Sequence, residues 1–244
     1  MARTRPQIPG LATMLPATAT VSPSQRGQLG RGVYETLRTA VLDCTFLPGI
    51  ALSEQAVSDE LQVSRAPVRE AFRQLSAEGL LETVPQRGTF VARLNQAKIA
   101  DAIFVREAIE CRAAELAAKA SLAERRQLVR IVKEQAAASA RGDYAAHLAA
   151  DEEFHHRILV LAGHPHAWGA LRLARTGMNR IRHLAIPAVG SPRIAIDHHR
   201  QMVDAIVAGD GRAAGRLMKE HVRSPLVFLE EIRKRHPGYF EDPA

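Results

Sequence analysis

The sequence holds only two cysteines, Cys44 and Cys111, in 244 residues. No disulfide framework of the kind that staples small secreted domains is available, and a reduced, cytosolic setting is expected. It lacks any run of about 18 consecutive apolar residues, so no transmembrane helix is expected. Acidic residues are missing before Glu35. Residues 1–24 carry instead Arg3, Arg5, four prolines and many Thr, Ala and Ser. Pro9 and Pro16 break up any apolar signal-peptide core, and a flexible basic arm fits this composition better than an organelle transit peptide. Histidine is absent from the first 146 residues although the chain has ten. What is present is ordinary globular material: 46% hydrophobic and 24% charged residues, with 16 Gly and 13 Pro. That excludes collagen-like and wholly disordered chains, and the length suits two small domains. Thirty-three basic against 26 acidic residues leave a net charge of +7 and a pI near 10.0, which favours a polyanionic partner such as nucleic acid.

Residues 25–93 have the outline of a winged helix-turn-helix. A helical run (Val33, Leu37, Val41, Leu42) reaches the turn Leu47-Pro48-Gly49. Ser53 can cap a short helix containing Val57 and Leu61, and Ser64 a second one carrying Val68, Ala71, Phe72 and Leu75. Two strand-like runs, Leu81–Val84 and Thr89–Val91, then flank Pro85-Gln86-Arg87-Gly88. In the second short helix Pro67 falls within the first turn, where its missing N–H costs nothing. Arg65, Arg69 and Arg73 recur every four residues and form one ridge beside the apolar face. Three such arginines taken alone read as a solvated surface. Between two preceding helices and a Gly-tipped hairpin they read as a recognition helix, with guanidinium groups turned toward phosphates and guanine edges.

Residues 97–236 are helical throughout, with about six helices expected in an antiparallel bundle. Ser121 with Glu124 makes a capping box, Gly142-Asp143 and Gly209-Asp210 are turns between helices, and Ser191-Pro192 opens a helix. Asp151 and His155 stand four apart and share one helix face. His199 and His221 flank the Gly209-Asp210 turn at nearly equal distances, so a helical hairpin would bring them level. One Asp and three His brought together would ligate a divalent transition metal such as Zn, Ni, Mn or Fe and leave positions open for water or ligand. A lone helical histidine is more often a satisfied polar residue, the reading kept for His147, His156, His164 and His198.

The run Leu47-Pro48-Gly49, Leu52-Ser53-Glu54, Val63 through Ala71 (VSRAPVREA), Glu78-Gly79-Leu80 and Arg87-Gly88-Thr89-Phe90-Val91 resembles the N-terminal domain of GntR-family bacterial transcription regulators. That resemblance implies that Ser64, Arg65 and Arg69 contact operator DNA, with Arg87 and Gly88 in the wing; Ala66 stands where the family often has Thr. The segments around Asp151-x-x-Phe154-His155, His199 through Ala205-Ile206, and Gly209-Asp210 through His221 resemble the FCD domain, the helical effector domain of FadR-like members. The expected six helices point to the VanR-type variant. The family often binds metal through an Asp and three His at these positions, which implies Asp151, His155, His199 and His221 as ligands. Arg106, in Val105-Arg106-Glu107-x-x-Glu110, is similar to an arginine of that domain's first helix that reaches a carboxylate effector. An i,i+4 ion pair with Glu110 is the competing reading. Asn179, on the bundle's fourth helix, is a further pocket candidate, while Gly163-His164-Pro165 departs from the family's usual Gly-Asn-Pro.

The expectation is a mainly α protein and not an enzyme. It would be a ligand-responsive transcription regulator, such as a repressor, acting as a cytoplasmic homodimer on a palindromic double-stranded operator, with a small organic acid as effector. Residues 87–96 would carry the coupling between the domains. The alternative from another class is a metal-dependent hydrolase fused to a DNA-binding module. It lacks a well-aimed general base, because Glu152 and Glu153 turn away from Asp151 around the helix.

Overall fold

Apolar residues at helical spacing put Val33, Leu37, Ala40 and Val41 on the buried side of α1 (Arg26–Leu42). The structure, a computed structural model, describes residues 26–189 and 193–241. The arm expected over 1–24 and the helix start at Ser191-Pro192 lie outside the described residues. The chain divides into two compact units: one ends at Asn95 and takes in the C-terminal segment from His236, and the other spans Gln96–Arg235.

In the first unit, the two-residue strand β1 (Ala51–Leu52) leads into α2 (Glu54–Glu60), whose start is capped by Ser53 Oγ accepting from Ala56 N–H. Gln62, at φ 52°, reverses the chain, and Ser58 Oγ donates to the Val63 carbonyl at 2.5 Å, fixing that turn. α3 (Arg65–Ala77) follows and buries Val68, Ala71, Phe72 and Leu75. These side chains close one core with α1, Val57, Leu61 and Leu80; each such side chain withdrawn from water contributes about 1.5–3 kcal/mol. β2 (Leu81–Val84) and β3 (Gly88–Val91) pair antiparallel with Leu81 opposite Val91 and Val84 opposite Gly88. The sequence suggests two strands; the structure has three, in the order β1-β3-β2. β1 joins because Gly49 N–H donates to Val91 O and Val91 N–H to Ile50 O, both at 2.8 Å. The C-terminal segment also belongs to this unit. Leu94 N–H bonds Tyr239 O at 2.8 Å, Glu241 N–H bonds Leu94 O at 2.9 Å, and Phe240 is buried there.

In the second unit, α4 (Gln96–Arg106) runs through one π turn, Glu107–Cys111, into α5 (Arg112–Ala117). The expected capping box of Ser121 and Glu124 opens α6 (Leu122–Arg125), which leads into α7 (Gln127–Ala140). Asp143 caps α8 (Tyr144–Leu161) by accepting from Ala146 N–H. Then come α9 (Trp168–Val189), α10 (Arg193–Ala208) and, capped by Asp210, α11 (Gly211–Arg223). α12 (Leu226–Arg235) is the last. With α4–α5 and α6–α7 each counted as one continuous run, the expected count of six is corrected to seven among the described residues of this unit, because the final predicted helix is split in two. Pro225 is the physical reason: it has no N–H to continue the ladder, and its ring clashes with the preceding turn. α11 lies unusually close to α5. A Cβ on Gly211 would stand 2.6 Å from the Glu115 carbonyl oxygen, and one on Gly215 would stand 2.9 Å from Glu115 Cγ. That approach seats α11, and hence His221, against the helix that carries the π turn.

Candidate functional site

Two surfaces carry chemistry, one in each unit. On α3 the apolar face is spent on the core, so Arg65, Arg69 and Arg73 are left outside, their side chains 53%, 67% and 71% exposed. Arg65 Nη2 and Arg69 Nε both reach Glu54 Oε2 at 3.3 Å, while Arg73 pairs with Glu70 on its own helix at 2.5 Å. Glu54 therefore gathers two arginines over the start of α2. Exposed pairs of this kind are worth about 0–1 kcal/mol, so a phosphate can compete for either guanidinium. Ser64 occupies the N-cap position, but its hydroxyl makes no capping bond to the helix. At the tip of the hairpin Gly88 adopts φ 115° and Gln86 φ 60°, and the Arg87 guanidinium lies 6.0 Å above the Phe90 ring. A cleft of about 1040 Å³ joins Glu54, Arg65, Arg87 and Gly88. All six expected DNA-facing residues are in one unit and exposed: Arg65, Arg87 and Gly88 line this cleft, Ser64 precedes Arg65 at the start of α3, and Arg69 and Arg73 lie further along that helix.

The second surface is interior. Asp151 and His155 project from one face of α8, His199 comes from α10 and His221 from α11, and all four are at most 1% exposed. One ligand atom from each lies within 4.8 Å of all the others. His155 Nε2 is 3.1 Å and His199 Nε2 3.3 Å from His221 Nε2. Asp151 Oδ1 is 3.7 Å from His199 Nε2, and its Oδ2 is 3.9 Å from His155 Nε2. A transition-metal ion with bonds of about 2.0–2.2 Å needs ligand atoms about 3–3.5 Å apart, so this donor set fits one with little adjustment.

The rings are also oriented for that purpose. His199 Nδ1 donates to Gln135 Oε1 of α7 at 2.7 Å, and Phe154 stacks on the same ring at 4.1 Å. His155 Nδ1 faces the Glu110 carboxylate in the π turn. The bond to Gln135 fixes the His199 tautomer whose Nε2 lone pair points inward, and the facing Glu110 carboxylate favours the same tautomer of His155, the usual outer-shell arrangement for a metal-ligating histidine. Burial drives the His155 pKa down to about 4, with Arg175 adding to the effect. His199 and His221 are held well below the ordinary imidazole range, again chiefly by burial. Burial alone would push the Asp151 and Glu110 carboxyls up. Arg182 and Arg175 beside Asp151, and Arg106 and His155 beside Glu110, overcome it and hold both well below the usual carboxylate range.

Four residues of this centre were not singled out from the sequence as its parts: Glu110 as a ring partner, Gln135, Arg175 and Arg182. Arg175 Nη2 bonds Asp151 Oδ2 at 2.6 Å, and Arg182 Nη1 reaches the same oxygen. Their seven-residue spacing on α9 was the available signal, since it puts both on one helix face. Arg106 makes the ion pair with Glu110 that its spacing allows. Its Nε bonds Glu110 Oε1 at 2.6 Å, and its Nη1 and Nη2, fully buried, have no hydrogen-bond partner among the described residues. Burial draws its pKa down to about 10. Asn179 is not brought to the cluster by any bond described; its amide donates to Glu152 Oε1 at 2.9 Å.

Comparison with known proteins agrees with this layout. Residues 29–91 match the family model for bacterial regulatory proteins of the gntR family, and residues 101–224 match that of the FCD domain. A Streptomyces ambofaciens HTH-type transcriptional regulator from an unstable DNA locus is 34% identical over 219 residues, which cover 88% of this chain and 90% of that protein. The Escherichia coli HTH-type transcriptional repressor RspR is 30% identical over 211 residues, covering 86% of this chain and 92% of its own length. Among solved structures, E. coli McbR/YncC shares the fold with a TM-score of 0.72 at 19% identity, covering 87% of this chain and 99% of its own. A putative GntR regulator from Rhodococcus sp. RHA1 aligns with a TM-score of 0.68 at 25% identity, covering 88% of this chain and all of its own.

Proposed function

Because the chain belongs to the gntR family of bacterial regulatory proteins and carries an FCD domain, we propose that it is a metal-dependent sensor of a small carboxylate that sets operator occupancy. Its relatives are transcription regulators, so the hydrolase alternative is set aside. No helix among the described residues is long and apolar enough to cross a membrane.

On the DNA side, Arg65 and Arg69 exchange Glu54 for phosphates or base edges, Arg73 extends the ridge, and Ser64 offers its hydroxyl at the helix start. Arg87 and Gly88 enter the neighbouring groove, where the missing Cβ of Gly88 allows close approach. Two copies of the chain on a palindromic site would present two such helices.

On the sensing side, Asp151, His155, His199 and His221 would hold the divalent ion. Bound there, the ion would supply a positive centre with positions open to a ligand carboxylate. Gln135 and Glu110 hold two of the rings in the tautomer that ligation requires. Arg106 Nη1 and Nη2 supply a buried fork that wants a planar, anionic acceptor. The observation that carries this reading is that pair of guanidinium donors, unpartnered among the described residues, one residue from the π turn whose Glu110 faces His155. A ligand shifts operator affinity only by as much as it prefers one state of the protein.

The test is a thermal-melt screen of metal-loaded protein against small organic acids, repeated after chelation and followed by operator-binding titrations with any hit. An acid present at about 100 times its Kd should stabilise by about 2.7 kcal/mol. A hit that disappears on chelation supports the reading. A hit indifferent to chelation would remove the metal from the sensor, and no hit at all would remove the carboxylate.

A further inference from the structure

We propose that Arg182 is a built-in counter-cation at the Asp/His centre, which competes with the metal ion for Asp151 and must withdraw when the ion binds. The inference rests on the metal reading above and deepens it, since it makes occupancy of the site adjustable rather than permanent.

The inward-facing ring nitrogens create the need for such a cation. His199 commits its Nδ1 proton outward to Gln135, and His155 turns its Nδ1 outward against the Glu110 carboxylate, which favours a proton there. Their Nε2 lone pairs then converge on His221 Nε2 at 3.1 and 3.3 Å, with the Asp151 carboxylate alongside. Converging lone pairs and a buried anion demand a positive partner. Arg182 is placed to be that partner: Nη1 bonds Asp151 Oδ2, and Nη2 stands 3.2 Å from His221 Nε2. One guanidinium therefore bridges two of the four groups that a metal ion would bridge.

The charge balance then forces a choice among the cations. Among the described residues, Arg106, Arg175 and Arg182 are paired with only two anions, Asp151 and Glu110, so the cluster already carries one excess positive charge. A divalent ion added to that arrangement would be desolvated among three guanidinium groups, and buried uncompensated charge is strongly unfavourable. One cation has to leave. Arg175 is poorly placed to do so: its side chain is 1% exposed, Glu110 lies 3.6 Å from its Nη1, and the Trp168 ring lies 5.8 Å from its guanidinium carbon. Arg182 is 11% exposed and is the one with a way out. Its release is a cost charged to every metal-binding event, so it weakens metal affinity and leaves the site responsive to metal concentration.

Zinc affinity, measured by competition with a chromophoric chelator, tests this in the full-length wild type, Arg182→Gln, Arg182→Lys and Arg172→Gln. The last removes the same charge from an exposed position of α9. Arg182→Gln should tighten zinc binding tenfold or more while lowering the melting temperature of the chelated protein, and Arg172→Gln should do neither. Arg182→Lys keeps a cation but loses the fork, so its affinity should fall between the two; it also serves if the Gln variant does not fold. Equal or weaker zinc affinity in the Arg182 variants overturns the counter-cation and leaves the metal reading standing. If no variant binds zinc, nickel or manganese, both fall together. Binding by Arg182→Gln alone would show the competition at its strongest.

Discussion

Replacing Glu110 by Gln isolates the electrostatic logic of the buried centre with almost no change in shape. The carboxylate is 2% exposed; one oxygen takes Arg106 Nε at 2.6 Å, and the other faces His155 Nδ1, with Arg175 Nη1 3.6 Å away. An amide would present a donor to a site that already supplies only donors, and Asp151 would remain as the sole anion facing three guanidinium groups. Breaking a buried ion pair from one side costs about 3–5 kcal/mol, because the other charge is left unpaired. In a unit of this size that lowers the melting temperature by about 6 °C or more. The readout is specific to this unit, because the chain's single tryptophan is Trp168, at the start of α9. Fluorescence-detected unfolding of chelated protein should give the loss directly. Arg106→Met should be costly alone for the same reason, yet the double variant should be more stable than the two losses added together predict. The same Gln should also weaken metal binding about 10- to 100-fold, since His155 loses the partner that fixes its tautomer. A single-variant loss below about 1 kcal/mol, or strictly additive losses, would refute the picture of a charge-balanced interior.

Three further outcomes are expected. Arg69→Ala should weaken specific operator binding by about 1–3 kcal/mol if it reads a base edge; if it touches only phosphate, the loss should be uniform across sequences and the salt dependence shallower, as fluorescence anisotropy at several ionic strengths would distinguish. Gly211→Ala should destabilise the helical unit by about 1–3 kcal/mol, because its Cβ would sit 2.6 Å from the rigid Glu115 carbonyl; an unchanged melt would mean that α11 is free to move away. The chelated protein should also lose stability in acid. His155 titrates near 6.5 when unfolded and about 4 when folded, so its contribution is complete above pH 6.5 and is lost as the pH falls toward 4, about 3 kcal/mol from this ring alone. Urea unfolding at pH 7.5, 5.5 and 4.5 measures it, and a flat profile would mean that the ring is not buried neutral.

Much of the DNA-reading unit was legible because its signals are local. The alternation of Val68, Phe72 and Leu75 with Arg65, Arg69 and Arg73 states which side of α3 is buried. The hairpin runs flank a glycine that the turn requires at φ 115°. Capping by Ser53, Ser121 and Asp143 likewise depends on a residue three positions away. The four-residue step from Asp151 to His155 and the reversal at Gly209-Asp210 were enough to nominate a four-residue cluster, and the helices do bring those side chains within reach of one another.

What local spacing leaves open is which buried face meets which. The π turn at Glu107–Cys111 has no sequence signature; it inserts one residue into a helix register that packing selects, and so turns Glu110 toward His155. Gln135 is one polar residue in an Ala-rich helix until α7 meets α10, and Arg175 and Arg182 are two arginines among many until α9 lays them over Asp151. Sequence by itself determined most of the elements, the caps at Ser53, Ser121 and Asp143, and the four inward donors, because those depend on contacts within a few residues. Tertiary structure alone decided the charge balance around those donors, because a buried charge is settled only by whatever distant helix is packed against it.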